Sequence, residues 1–126
     1  MLIRFLGVPP ALVTEASPAE QDRVRSIVKS VEPLSLRFPG INVDSNPSLR
    51  ELPLANITAP TLIISARDDG FNTLPAAEFL ASKIPGAKLF VYETGGHLLV
   101  NHESAVRKMV RNFVASVAQR VEQSAA

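Results

Sequence analysis

Cysteine is absent from the 126 residues, and histidine occurs only at His97 and His102. Without cysteine there is no disulfide framework, no thiol nucleophile and no thiolate zinc site. Two histidines are too few for a multi-histidine metal cluster. An excess charge of one sign is also missing, since 13 basic residues meet 12 acidic ones for a net charge of +1. That balance leaves no electrostatic footprint for nucleic acid or for an acidic membrane surface. No segment approaches the roughly 20 apolar residues that cross a bilayer. The opening stretch Met1 to Val8 is apolar but short, is broken by Arg4 and stops at Pro9-Pro10. It lacks the longer run and small-residue cleavage site of a signal peptide, so the expectation is a cytoplasmic chain. Glycine is scarce, with six residues against ten prolines, which is unusual for a complete α/β domain.

What is present has the balance of one soluble globular domain, with 46% hydrophobic and 20% charged residues. No internal repeat occurs, and the only low-complexity stretch is the polar tail Gln123 to Ala126. Residues 1–16 show no clear period and read as a short helix followed by a loop. Ser17-Pro18-Ala19-Glu20 is a helix start: Ser17 can cap, Pro18 suits the first helical position, and Glu20 can reach back as in a capping box. Val24, Ile27, Val28 and Val31 then share one face, and Pro33 ends the helix. Residues 33–60 hold five of the ten prolines and read as an irregular connection, with a helical turn near Ser48 to Leu52.

The second half has a clearer pattern. Thr61 to Ala66 is an apolar, β-branched run that predicts a strand buried on both faces of a parallel sheet. Leu74 to Lys83 predicts a helix packing through Ala76, Ala77, Leu80 and Ala81, and Pro85-Gly86 ends it. Lys88 to Tyr92 predicts a second strand, and Thr94-Gly95-Gly96-His97 a tight turn. Glu103 to Glu122 predicts a final helix with a core stripe of Val106, Met109, Val110, Phe113, Val114, Val117 and Val121. Strand, helix, strand, helix is a βαβα unit, whose right-handed crossover makes the strands parallel.

Parallel strands end at the same sheet edge, where catalytic groups gather in open α/β sheets. Asp68 and Asp69 follow the first strand and His97 follows the second, so they are expected to converge. A carboxylate beside an imidazole fixes the tautomer, orients the ring and stabilises the imidazolium, and histidine titrates near neutral pH. Taken alone, His97 also reads as a turn histidine held by a backbone hydrogen bond, and Asp69 as a turn or helix-cap carboxylate. Asp68 reads as a solvated or loop-bonding neighbour, His102 as a surface or cap residue of the last helix, and Ser65 as buried structure. Ser35 and Arg37 fit either a hinge or a plain loop.

On these residues the sequence resembles the C-terminal part of an α/β-hydrolase. The resemblance is carried by Pro60 to Asp69, Ala76 to Ala87 and Thr94-Gly95-Gly96-His97-Leu98. It implies a partial α/β-hydrolase-like fold, with a βαβα C-terminal unit of parallel strands preceded by cap-like helices. Residues 1–50 would be a cap or lid-like helical segment with its connection, and residues 51–126 the C-terminal part of the core. The family pattern Gly-x-x-Asp, with Ala66 at the glycine, places the triad acid at Asp69, and the triad histidine falls at His97, 28 residues later.

The family places its nucleophile in Gly-x-Ser-x-Gly on a strand-to-helix turn. No two of the six glycines bracket a serine in that way, and no oxyanion-hole loop of the His-Gly type is present. The resemblance therefore implies hydrolysis of an ester or other small carbonyl substrate by a Ser-His-Asp mechanism only if another segment or chain supplies the serine. The alternative is a catalytically inactive remnant that serves as an oligomerising or binding module. A nucleotide-binding domain is disfavoured, because Arg67-Asp68-Asp69-Gly70 sets carboxylates where phosphate needs amides. A two-stranded sheet with an apolar edge is marginal alone, so a homo-oligomer or a partner chain completing the sheet is expected. A small apolar ester-like substrate is expected; no cofactor, metal, nucleic acid or membrane is.

Overall fold

A computed structural model describes residues 2–44 and 52–124. The turn expected near Ser48 to Leu52 falls, up to residue 51, outside the described residues. Helices α1 (Leu2–Phe5), α2 (Pro10–Thr14) and α3 (Pro18–Val31) come first. A 3₁₀ turn at Leu34–Leu36, helix α4 (Phe38–Asp44) and a second 3₁₀ turn at Leu54–Asn56 follow. Then come strand β1 (Leu62–Ala66), helix α5 (Leu74–Lys83), strand β2 (Lys88–Tyr92) and helix α6 (Glu103–Ser124).

The two strands pair in parallel, from Leu62 beside Lys88 to Ala66 beside Tyr92. The fold is therefore mixed α/β with a two-stranded parallel sheet, consistent with a partial α/β-hydrolase-like fold. The expected bounds of α5 and β2 match, β1 begins one residue later, and α6 runs on to Ser124.

Five expectations need correction. Residues 1–16 hold two short helices, because Pro9 and Pro10 break the run and Pro10 opens the second. The connection 33–60 is helical in places, since Pro39 sits in the first turn of α4, where its missing N–H breaks no helical bond. Ser17 Oγ does accept from Glu20 N–H at 3.3 Å, but the Glu20 carboxylate does not reach back; it takes the Arg23 guanidinium and Asn101 N–H instead. Only Ser65 and Ala66 of β1 are buried, and Val110, Val114 and Val121 of α6 are exposed. Two strands offer too little area to cover a stripe that runs the length of a 22-residue helix.

The continuous core lies elsewhere. Val8, Val13, Ala16, Val24 and Val100 form it, with Ile3, Leu12 and Leu98 packed against them. It joins α2 and α3 to the turn that follows the second strand. Burying each valine contributes about 1.5–3 kcal/mol. A polar network reinforces the joint: Arg23 donates to Leu98 O at 3.0 Å, and Glu20 accepts from Asn101 N–H at 2.9 Å. Arg23, with its hydrogen bond and charge, holds the Glu20 carboxyl below its ordinary range against the opposing effect of burial.

Backbones touch where the first residues meet this turn. Gly96 has φ +59°, and a Cβ there would stand 2.9 Å from Val8 Cα and 3.0 Å from Gly7 O. Gly96→Ala is therefore expected to lower stability by about 1–3 kcal/mol, through a left-handed backbone and a clash that no side chain can relieve. Urea unfolding of the two proteins checks it.

Candidate active site

Parallel pairing brings Asp69, just past β1, against His97, just past β2. His97 Nδ1 lies 2.9 Å from Asp69 Oδ2. An ionised carboxylate only accepts, so Nδ1 carries the hydrogen, and in the neutral ring Nε2 presents its lone pair. The acid is hidden, with its side chain 4% exposed, while the imidazole is 44% exposed. The pair is thus sealed on the carboxylate side and open on the ring side.

Asp69 is held from three directions. Oδ1 accepts from Phe71 N–H at 2.8 Å, and Oδ2 also accepts the Thr73 hydroxyl. Thr73 stands at the start of α5 without capping it, so its hydroxyl is given to the acid. Burial pushes the Asp69 carboxyl up, but the bonds from Thr73, His97 and Phe71 N–H outweigh it and hold the group below its ordinary 3.8. The Phe71 ring meets the imidazole edge-on, with centroids 4.8 Å apart.

Sequence reasoning named Asp69 and His97, and the structure brings these two together. It missed Thr73, Phe71 and Gly7. Thr73 carries a local signal, because Pro75 marks it as the residue before a helix. Gly7 carries none. Its carbonyl accepts from both Gly70 N–H at 2.9 Å and His97 N–H at 3.0 Å. Its φ is +66°, and a Cβ there would lie 3.0 Å from His97 Cβ and 3.1 Å from Asp69 Oδ1.

The remaining candidates have other partners. Asp68 accepts backbone N–H groups of the histidine turn. Ser65 is buried, with Oγ 3.5 Å from Thr73 Oγ1. His102 precedes α6, its carbonyl accepts from Val106 N–H, and its ring stacks on Tyr92. Arg37 donates to Ser30 O and lines an apolar concavity of about 750 Å³ with Phe5, Val31, Leu34, Phe38 and Phe71. Phe71 thus connects that concavity to the imidazole. Among the described residues, no group of three or more His, Asp or Glu side chains is placed to hold a metal ion. No described helix is long and apolar enough to cross a membrane.

An acid–imidazole pair thus stands at the carboxyl edge of a parallel βαβα unit. The chain belongs to the α/β-hydrolase family: residues 39–122 match the family model described as TAP-like protein. It is similar to the 2-hydroxy-6-oxononadienedioate/2-hydroxy-6-oxononatrienedioate hydrolase of Klebsiella pneumoniae subsp. pneumoniae, at 34% identity over 98 residues. The enzyme of the same name from Escherichia coli strain K12 / DH10B is also 34% identical over 98 residues. Each match covers 77% of this chain and 31% of the relative, so the chain spans about a third of the length of these curated relatives. No solved structure matches it.

Because the folded Asp69 carboxyl lies below 3.8, its bonds contribute stability that is complete above that value and lost as pH falls through the folded one. Asp69→Asn is therefore expected to unfold at lower urea than wild type near neutral pH. The two midpoints should stay apart down to about pH 3.8 and converge as pH falls below it through the folded value. A difference independent of pH would show that charge on Asp69 does not matter to the fold.

Proposed function

We propose that this chain supplies the acid and the general base of a serine-hydrolase active site, acting on an ester or other small carbonyl substrate. The observation that carries the reading is the 2.9 Å bond between a buried Asp69 and an open His97. Asp69 holds the ring with Nδ1–H bonded, and Nε2 takes the proton from a serine hydroxyl as it attacks the carbonyl. The imidazolium then gives that proton to the leaving group, and a water repeats the cycle to free the acid product. The serine comes from another segment or chain, since this sequence holds no Gly-x-Ser-x-Gly.

Residues 1–50 serve in this reading as the cap-like segment and 51–126 as the core part. The concavity beside Phe71 is apolar and suits a small apolar substrate. The relatives' names specify hydrolysis of an oxo acid, which supports a carbonyl substrate here.

Hydrolysis of 4-nitrophenyl acetate tests the proposal. With the serine-bearing segment supplied, His97→Ala is expected to lower kcat by roughly 10³-fold or more. This chain alone is expected to give the same rate with and without His97. A rate unchanged by His97→Ala in the completed protein would remove His97 from catalysis.

A second reading is favoured by the exposed Phe90, Val110, Val114 and Val121. In it the chain is an inactive oligomerising or binding module, whose sheet and α6 are covered by a second copy or a partner chain. Light scattering after size exclusion is expected to give a mass above 13.6 kDa. A compact, folded monomer would sink this reading.

A further inference from the structure

We propose that Asp68 is a positioning residue for His97, which divides the labour of two adjacent carboxylates: Asp69 holds the ring and Asp68 holds the backbone that carries it. The proposal rests on the reading of His97 as general base. Asp68 Oδ1 accepts from Gly96 N–H at 2.8 Å and Oδ2 from Gly95 N–H at 3.2 Å. The next amide, His97 N–H, donates to Gly7 O at 3.0 Å. Three consecutive N–H groups are thus tied down, the first two by a single side chain on the neighbouring loop. Successive amides of this kind form a concavity suited to an anion, and here the anion belongs to the chain itself.

The turn needs such a restraint. Gly95 has φ +133° and Gly96 φ +59°, conformations that glycine adopts freely among others, so the two residues do not by themselves hold the turn in one shape. The acid end of the Asp69–His97 bond is already anchored by Phe71 N–H and Thr73. At the imidazole end the ring meets Asp69 and the edge of Phe71, and the backbone that carries it is held by Asp68 and Gly7 O, so the position of the ring follows from the turn. Removing the Asp68 carboxylate leaves two amides without their acceptor, and the turn relaxes while Asp69 stays in place. Nδ1 then leaves Oδ2, and the ring loses the hydrogen bond that selects its tautomer.

The tautomer is the readout. Long-range ¹H–¹⁵N correlation spectra of the labelled full chain, at a pH where the ring is neutral, distinguish Nδ1–H from Nε2–H. Wild-type His97 is expected to be Nδ1-protonated. Asp68→Ala is expected to lose roughly half or more of that population to the Nε2–H form, with the amide signals of β1 and α5 unmoved. Asp68→Asn is expected to fall between the two, because its carboxamide oxygen replaces one of two acceptors. If Asp68→Ala does not fold, Asp68→Asn decides: an intermediate population supports the proposal, and a wild-type one overturns it. A wild-type tautomer in a folded Asp68→Ala chain also overturns it. A shifted tautomer with unchanged 4-nitrophenyl acetate turnover in the completed protein would uphold the positioning and overturn only the catalytic reading of His97.

Discussion

Parallel pairing of β1 with β2, in the register that sets Ala66 beside Tyr92, delivers both strand ends to one edge. Asp69 and His97 lie far apart in sequence, and only that shared edge lets them meet. The helix between the strands makes the parallel arrangement possible, since a short hairpin would have forced the strands antiparallel. The side chains of the acid–imidazole pair are held chiefly by groups that follow the strands at this edge, Phe71 N–H and Thr73 among them. The strands set the distance, and the loops set the orientation.

Stability and site geometry come from different parts of the molecule. The sheet contributes the backbone ladder but little deep burial, as Phe90 and much of α6 remain open. A contiguous buried cluster joins Val8, Val13 and Val24 to Val100, directly behind the histidine turn. The Glu20–Arg23 network spans the same joint. The turn bearing His97 is therefore braced by helices that precede the sheet in sequence. A small strained loop, with left-handed Leu99 and Asn101, can persist there because its far side is core.

The second half of the sequence is legible because its signals are local. Apolar β-branched runs mark β1 and β2, Pro85-Gly86 stops α5, and the Gly-Gly-His turn announces a special backbone. Asp69 and His97 are legible because topology and resemblance point to the same residues. The first half resists reading where partners are remote. Nothing around Glu20 reveals that its carboxylate answers Asn101 rather than its own helix start, and nothing around Gly7 reveals that it meets two later loops. Proline density also misleads over residues 33–60, because a proline in the first turn of a helix does not oppose it.

The Gly7 carbonyl has a kinetic consequence. It is one acceptor shared by two donors from loops that follow different strands, and it belongs to the segment before the first long helix. Its two bonds close long loops, so their chain entropy is recovered only after the nearer βαβ contacts exist. The strands can pair before the N-terminal segment arrives, but the histidine turn is completed only when that segment docks. The same order runs in reverse during partial opening: release of the first helices loosens the turn while the β1–β2 ladder endures, making the site the earliest part of the sheet edge to lose its shape.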